Sequence, residues 1–239
     1  MHYCSSCKEL KYYGLTKVSE ECYICNECLS HSVTESNMLP HINMVYKLLS
    51  EKGFKDIQRD HVRIHVVCRE KFAELFPDNP KAVGMHCGGS TIHDVHGRTG
   101  FFQDVYVVDY FHYIEFESIL AHELLHAWQL QQNIEDYNQY DQKDERRCLV
   151  EGFAQLGTYI VYSHYYKTAI SVIKGGNSAM SGKDARFAIK ICSDLQKANF
   201  EWEDPAYGIA YKKIWNRMKK VGMDQIIREA RLNQLIKYV

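Results

Sequence analysis

The sequence lacks three features that would place it in common classes of protein. It has no apolar run of about 20 residues, the length that a helix needs to cross a bilayer. Its formal net charge is -1, so no excess of basic residues favours nucleic acid or an anionic membrane as a partner. The N-terminus, Met1 to Lys8, has cysteines and polar residues where a secretory signal needs an apolar segment. We therefore predict a soluble, cytoplasmic protein that binds neither nucleic acid nor membranes.

The length and composition of the chain allow one substantial domain with a small appendage. The 239 residues are 46% hydrophobic and 25% charged, which is the balance of an ordinary globular protein. Five of the nine cysteines lie within residues 1–33. In a reducing compartment, closely spaced cysteines favour metal binding over disulfides. We predict a zinc finger over residues 1–33 and a second domain over residues 34–239.

The pattern of apolar residues in the second domain predicts strands early and helices late. The early elements are a helix over Ser36 to Gly53, a strand over Val62–Val67, a short helix over Arg69–Phe76, a turn with a short strand within Ala82–Thr99, and a strand over Phe102–Phe111. The late elements are helices over about 115–132, 142–168 and 183–198, then a helical pair over about 204–234 that is broken near Gly222. This order predicts an α+β fold.

The motif H-E-x-x-H lies in the helix predicted over residues 115–132. Its histidines, His122 and His126, are four residues apart and so share one helical face. Both imidazoles can reach one tetrahedral zinc ion, at N–Zn distances of about 2.0–2.1 Å. Glu123 lies beside the same site and can act as a general base towards water that zinc activates. The motif indicates a catalytic zinc site of a peptidase, with a chance pair of core or surface histidines as the alternative.

A catalytic zinc ion usually has three protein ligands and one open position, so a third ligand is required. The candidates downstream of the motif are His164, Glu151 and several other acids. Glu151 lies in an apolar setting after enough chain for a loop and a return helix, and a buried carboxylate needs a partner. We assign Glu151, with a surface glutamate on an amphipathic helix as the alternative. The remaining acids are expected in a solvated loop and at a helix start: Glu135, Asp136, Asp141, Asp144 and Glu145.

The strand Phe102–Phe111 comes just before the motif helix. If it forms a sheet edge, an extended peptide can pair with it by β-augmentation and lie across the zinc. A strand that serves only as scaffold is the alternative.

The cysteines of the N-terminal segment form two C-x-x-C pairs, Cys4 with Cys7 and Cys25 with Cys28. The 17 residues between the pairs suit a four-thiolate zinc site. Such a site has no open position, so its zinc is structural, and a finger this small depends on the metal to fold. Cys22 and His31 are competing ligands.

Four segments carry a resemblance to a known family: Cys25-Asn26-Glu27-Cys28-Leu29, Ile119-Leu120-Ala121-His122-Glu123-Leu124-Leu125-His126-Ala127-Trp128, Val150-Glu151-Gly152 with Gln155, and Pro205-Ala206-Tyr207-Gly208. The chain resembles the carboxy-terminal part of the plant "DA-one" growth-restricting peptidases, which combine LIM-type zinc domains with a zincin peptidase domain. The match runs through nearly the whole chain, although residues 54–110 match only in pattern. The plant proteins also have upstream LIM domains and ubiquitin-interacting segments, for which this chain has no room.

The resemblance implies a zincin-like metallopeptidase domain whose zinc is held by the H-E-x-x-H pair and Glu151, with Glu123 as catalytic base. Tyr207 matches a recurring position of the family, and a tyrosine near zinc could stabilise an oxyanion. A phenol that only packs the C-terminal helices is the alternative. Ubiquitin dependence and the plant substrates are not carried over to this compact, stand-alone form.

Together these features predict a zinc-dependent peptidase that acts on protein or peptide substrates. It should hold two zinc ions per chain, one catalytic and one structural, and its finger could recruit a protein partner. The alternatives are a non-catalytic zinc-binding interaction module and a zinc hydrolase that acts on bonds other than peptides, because the motif specifies water activation rather than the bond attacked.

Overall fold

The computed structural model describes residues 1–20, 22–93, 99–132, 145–176, 178–232 and 234–235. Over these residues the protein is α+β, as predicted, with three small sheets and eight α-helices. The strands are β1 His2–Tyr3, β2 Leu10–Lys11, β3 Leu15–Lys17, β4 Tyr23–Cys25, β5 Val62–Val67, β6 Gly84–His93 and β7 Thr99–Val108. The helices are α1 Asn26–Leu29, α2 Met38–Glu51, α3 Arg69–Leu75, α4 Tyr113–Gln131, α5 Glu145–Ile173, α6 Gly182–Glu201, α7 Tyr211–Val221 and α8 Met223–Arg231. None of the described helices has the length and apolar character needed to cross a membrane.

The N-terminal finger consists of two short hairpins, β1–β2 and β3–β4, followed by the single turn of α1. Its buried apolar cluster contains only Ile24 and four cysteines, with a few half-buried side chains around them. This core is too small to stabilise the hairpins through the burial of apolar area alone. The finger therefore needs a further source of stability.

The finger is attached to the second domain through backbone hydrogen bonds and side chains. The N–H of Val33 donates to the carbonyl of Phe111, and the N–H of Tyr110 donates to the carbonyl of Val33. Lys183, at the start of α6, pairs with Glu27 of the finger at 2.7 Å. These contacts fix the finger beside the segment that leads into α4.

The main sheet has the strand order β5–β7–β6, with β5 parallel and β6 antiparallel to β7. The proposal that strand 102–111 forms a sheet edge is therefore wrong, because β7 is the central strand. The cause lies in the segment Ala82–Thr99, which provides the ten-residue strand β6 rather than a turn with a short strand. Within the described sheet, β6 is the edge strand on the side of α4, against which it packs.

Helix α4 lies at the centre of the second domain, between the sheet, α2 and α5. Trp128 near its C-terminal end is fully buried, stacks on Phe153 of α5 at 5.6 Å between ring centroids and meets Phe54 edge-on. Helix α5 approaches α4 closely at Gly157, where a Cβ atom would lie 2.4 Å from the carbonyl oxygen of Ala121. This close approach places the first turns of α5 beside the motif residues of α4.

A short π-helical turn, Pro205–Ala210, connects α6 to α7 and packs against α5. It begins at Asp204, whose carboxylate accepts hydrogen bonds from the backbone N–H groups of Ala206 and Tyr207. Proline at the first position of a helical turn costs no backbone hydrogen bond. The cap and Pro205 together hold Tyr207 over the junction of α4 and α5.

Candidate metal centres and active site

Three of the predicted ligands come together where α4 faces α5. The Nε2 atoms of His122 and His126 are 3.0 Å apart, and Oε2 of Glu151 lies 3.3 Å from the first and 3.2 Å from the second. Ligand atoms held about 2.0–2.1 Å from a tetrahedral zinc ion lie about 3.3 Å from one another. Oε2 of Glu151 is buried and has no hydrogen-bond donor. The three residues therefore form a group that could hold a metal ion.

The ligands are oriented by a second layer of contacts. Nδ1 of His126 lies 3.0 Å from Oε1 of Gln129, whose amide nitrogen donates to the carbonyl of Val150. Gln129 thus connects His126 on α4 to Val150, the residue before Glu151 on α5. Burial would raise the pKa of Glu151, but the imidazoles of His126 and His122 outweigh it and hold this pKa far below its usual range. The carboxylate is therefore ionised, which is the form that binds metal.

Glu123 is buried beside these ligands, and the edge strand β6 fixes its carboxylate. The backbone N–H of His86 donates a hydrogen bond to it. A Cβ atom at Gly84 would lie 2.6 Å from Oε1 of Glu123, so only glycine leaves room for the carboxylate there. Burial raises the pKa of Glu123, since the charged form is poorly solvated. A carboxylate with a raised pKa is suited to accepting a proton.

Tyr207 lies on the open side of the ligand group. Its ring stacks on Trp202 at 5.0 Å and lies 6.1 Å from the ring of His122, and its hydroxyl lies near the carboxylate of Glu151. Burial and the charge of Glu151 raise its pKa above the ordinary range, so the phenol stays protonated as a donor. The structure therefore brings Tyr207 to the site.

A cleft of about 380 Å³ opens beside the ligands. Its polar walls include His122, Glu123 and Tyr207, and its apolar walls include Ile119 and Leu195. A cavity of this size can admit a large side chain. The ligand group thus has an open face on which a small molecule or a chain segment can lie.

The second ligand group is in the finger. Cys4, Cys7, Cys25 and Cys28 are all buried, and their sulfurs lie within 4.8 Å of one another. Burial would raise the pKa of the Cys4 thiol, but backbone N–H donors outweigh it and lower the pKa to about 7. One of these donors, the N–H of Cys25, lies 3.3 Å from the sulfur. These bonds favour the thiolate, the form that binds metal.

Comparisons with protein-family models, curated proteins and solved structures found no match for this chain. The resemblance to the plant peptidases thus stays a prediction that rests on the motif residues. The convergence of His122, His126 and Glu151 in the structure is an observation that does not depend on this resemblance.

The competing ligands lie elsewhere in the structure. Cys22 is outside the group of four sulfurs, and Nε2 of His31 lies 3.7 Å from Asp184 of α6. His164 is 13 residues beyond Glu151 on the same helix, which is roughly 20 Å at 1.5 Å per residue. Glu135, Asp136, Asp141 and Asp144 lie outside the described residues, as does the side chain of Glu145.

Sequence reasoning missed the residues that orient the site: Gly84, His86, Gln103 and Gln129. His86 is buried, with Nε2 at 2.7 Å from Oε1 of Gln103, and burial lowers its pKa to about 4, so it remains neutral. Gln129 had a detectable signal, because a polar residue three positions after His126 shares its helical face. Gly84 and His86 had no such signal in the sequence, because their contact with Glu123 depends on the position of β6 in the sheet.

Proposed function

We propose that the protein is a zinc-dependent peptidase of the zincin type, with a catalytic zinc at His122, His126 and Glu151 and a structural zinc in the finger. The observation that carries the proposal is the triangle of ligand atoms, 3.0–3.3 Å on each side, with Glu123 beside it. Imidazole and carboxylate ligands with one open position are typical of catalytic zinc, whereas four thiolates are typical of structural zinc.

The roles of the residues follow from their positions. A zinc ion held by the three ligands would supply a Lewis acid that polarises a carbonyl group and lowers the pKa of water. Glu123 takes the proton from the attacking water and passes it to the nitrogen of the leaving amine. Tyr207 donates a hydrogen bond to the carbonyl oxygen as that oxygen gains charge. His86 holds Glu123 through its backbone N–H.

The edge strand β6 offers a place for an extended substrate. Its outer edge has no partner strand among the described residues, and the hydrogen bond from His86 places Glu123 at that edge. A peptide that pairs with β6 by β-augmentation would pass directly over Glu123 and the metal ligands. This arrangement favours a polypeptide over other substrates of a zinc hydrolase. In this proposal the substrate pairs with β6, rather than with the strand 102–111 that the sequence suggested.

Replacing the proposed base tests the proposal. The zinc-loaded protein and its Glu123→Gln variant are incubated with a proteome digest, new N-termini are identified by mass spectrometry, and bound metal is measured. We expect two metal ions per chain in both proteins and a cleavage rate lower by about 10²–10⁴-fold in the variant. Equal cleavage by both proteins would remove Glu123 from its role. Full metal content with no cleavage by either would instead support a non-catalytic interaction module.

A further inference from the structure

A second cavity, of about 500 Å³, lies between the finger and the second domain. Val18, Ser19 and Ile24 form its wall on the finger, and Val83 and Phe111 line it from the domain. Neither ligand group needs this cavity. Its volume is larger than that of the cleft beside the metal ligands.

The cavity and the metal-site cleft are neighbours that share wall residues. Val83, Phe111 and Glu115 line both of them. The chain that enters β6 runs from the cavity to the cleft, because Lys81 lines the cavity while Gly84 lines the cleft beside Glu123. At about 3.3 Å per residue, these two positions are roughly 10 Å apart along an extended chain. A peptide paired with β6 and centred on Glu123 would therefore reach the cavity three or four residues from its scissile bond.

Charged side chains of both signs line the cavity: Lys8, Arg69, Lys81, Asp109 and Glu115. Burial raises the pKa of Glu115 to about 7 and that of Asp109 to about 6, although Lys8 and Arg69 act on them in the opposite direction. Arg69 also donates to the carbonyl of Ala82. Since both signs of charge are present and the other walls include Val18, Ile24 and Phe111, a bulky apolar side chain fits the cavity best.

We propose that the finger forms one wall of the substrate cleft and that its cavity selects a bulky apolar side chain three or four residues from the scissile bond, on one side only. This proposal rests on the peptidase function proposed above. The occupant is an extended polypeptide, because the cavity adjoins a cleft beside the edge of β6, which has no partner strand among the described residues. The backbone bonds of Val33 and the Glu27–Lys183 pair hold the finger wall in place. The finger thus contributes to specificity as well as to the fold.

The test compares two tryptophan substitutions in the finger. Ser19 lines the cavity, so Ser19→Trp should fill it, whereas Thr16 is exposed and does not line it. Cleavage of a peptide library by both variants and the wild type gives the preference at each substrate position. We expect the wild type to favour aromatic or long aliphatic residues at the distal position by about tenfold or more in kcat/KM. Ser19→Trp should lose this preference and Thr16→Trp should keep it.

Two further measurements make the outcome independent of folding and of catalysis. Peptides that end before the distal position should be cleaved equally by the wild type and Ser19→Trp. Binding of the intact peptides to Glu123→Gln, measured by fluorescence anisotropy, should weaken when the distal residue is changed to alanine. A wild type that cleaves peptides without a distal preference would overturn the finger proposal and leave the peptidase standing. A wild type that cleaves no peptide would overturn the peptidase proposal, and the finger proposal with it.

Discussion

The two ligand groups of this protein lie in very different structural settings. The four cysteines lie within a segment of 25 residues, on short hairpins and a single helical turn, and all four are buried. The two histidines and Glu151 come from two long helices beside a large apolar core, and His122 borders an open cleft. A ligand group without much core around it can stabilise a fold, whereas one inside an established core is free to serve chemistry. This difference agrees with the proposal of a structural role for the first group and a catalytic role for the second.

The largest expected effect comes from removing one ligand of each group. Cys28→Ser and Glu151→Gln should each lower the metal content from two ions per chain to one. Structural zinc contributes about 10–16 kcal/mol of apparent binding free energy to small fingers, so Cys28→Ser should leave residues 1–30 without protection in hydrogen exchange. Glu151→Gln should leave exchange in the finger and in α4 nearly unchanged. Equal loss of finger protection in both variants would contradict the division between the groups.

The next effect concerns Gly84, where a substitution should lower catalysis without changing metal binding at the His–His–Glu group. An alanine methyl would overlap both Oε1 of Glu123 and Cγ2 of Ile119, each 2.6 Å from the position of the added Cβ. Displacement of the base by about 1 Å should lower kcat by about 10²-fold while the metal content stays at two ions. Gly182→Ala is the matched control, because no atom lies within 4 Å of its added Cβ. A fully active Gly84→Ala variant would show that β6 does not position Glu123.

The features that sequence could predict are those set by local spacing. The i, i+4 pair of His122 and His126 and the two C-x-x-C pairs need only helical or turn geometry to converge. Glu151 was found through its apolar neighbours, because a carboxylate in that setting needs a partner. The α+β class and the helices around the site also followed from periodicity.

The features that sequence could not predict depend on which strands pair. The order β5–β7–β6 makes β7 central, and no residue of strand 102–111 distinguishes a central from an edge position. The strand β6 also contains a register irregularity between Cys87 and Ser90, which blurs its alternation. Its contact with Glu123 is made by the backbone of His86 and by the missing side chain of Gly84, and neither leaves a motif.

A smaller effect is expected at Gln129, which connects α4 to α5 beside the His–His–Glu group. Gln129→Ala should weaken metal binding at the His–His–Glu group by about 10–100-fold, because the imidazole of His126 loses the partner that orients it. Competition with a chelator of known affinity measures this change. The control is Gln131→Ala on the same helix, whose side chain bonds the backbone of Gln58 instead. Neither substitution lies in the finger, so its metal should be released at the same chelator concentration in both variants.

The smallest effect tests the contact between the two regions. His112 is buried between the finger and the start of α4, where its Nδ1 accepts a hydrogen bond from the N–H of Ile114. Burial, with help from the neighbouring charge of His31, lowers its pKa to about 3. Between that value and about 6.5 the unfolded chain binds a proton that the folded chain does not, so stability falls as pH decreases.

Denaturant unfolding with zinc in excess, from about pH 7.5 down to about pH 5.5, measures this dependence. The contribution of His112 approaches about 1.4 kcal/mol per pH unit well below its unfolded pKa. His112→Asn keeps an acceptor for the N–H of Ile114 but cannot be protonated in this range, so its unfolding free energy should fall less steeply. Hydrogen exchange at the lower pH should show that the wild type first loses protection around residues 31–33 and 110–113. If both proteins lose stability in parallel, the contact between finger and helix does not carry the pH dependence, and the two regions respond to acid separately.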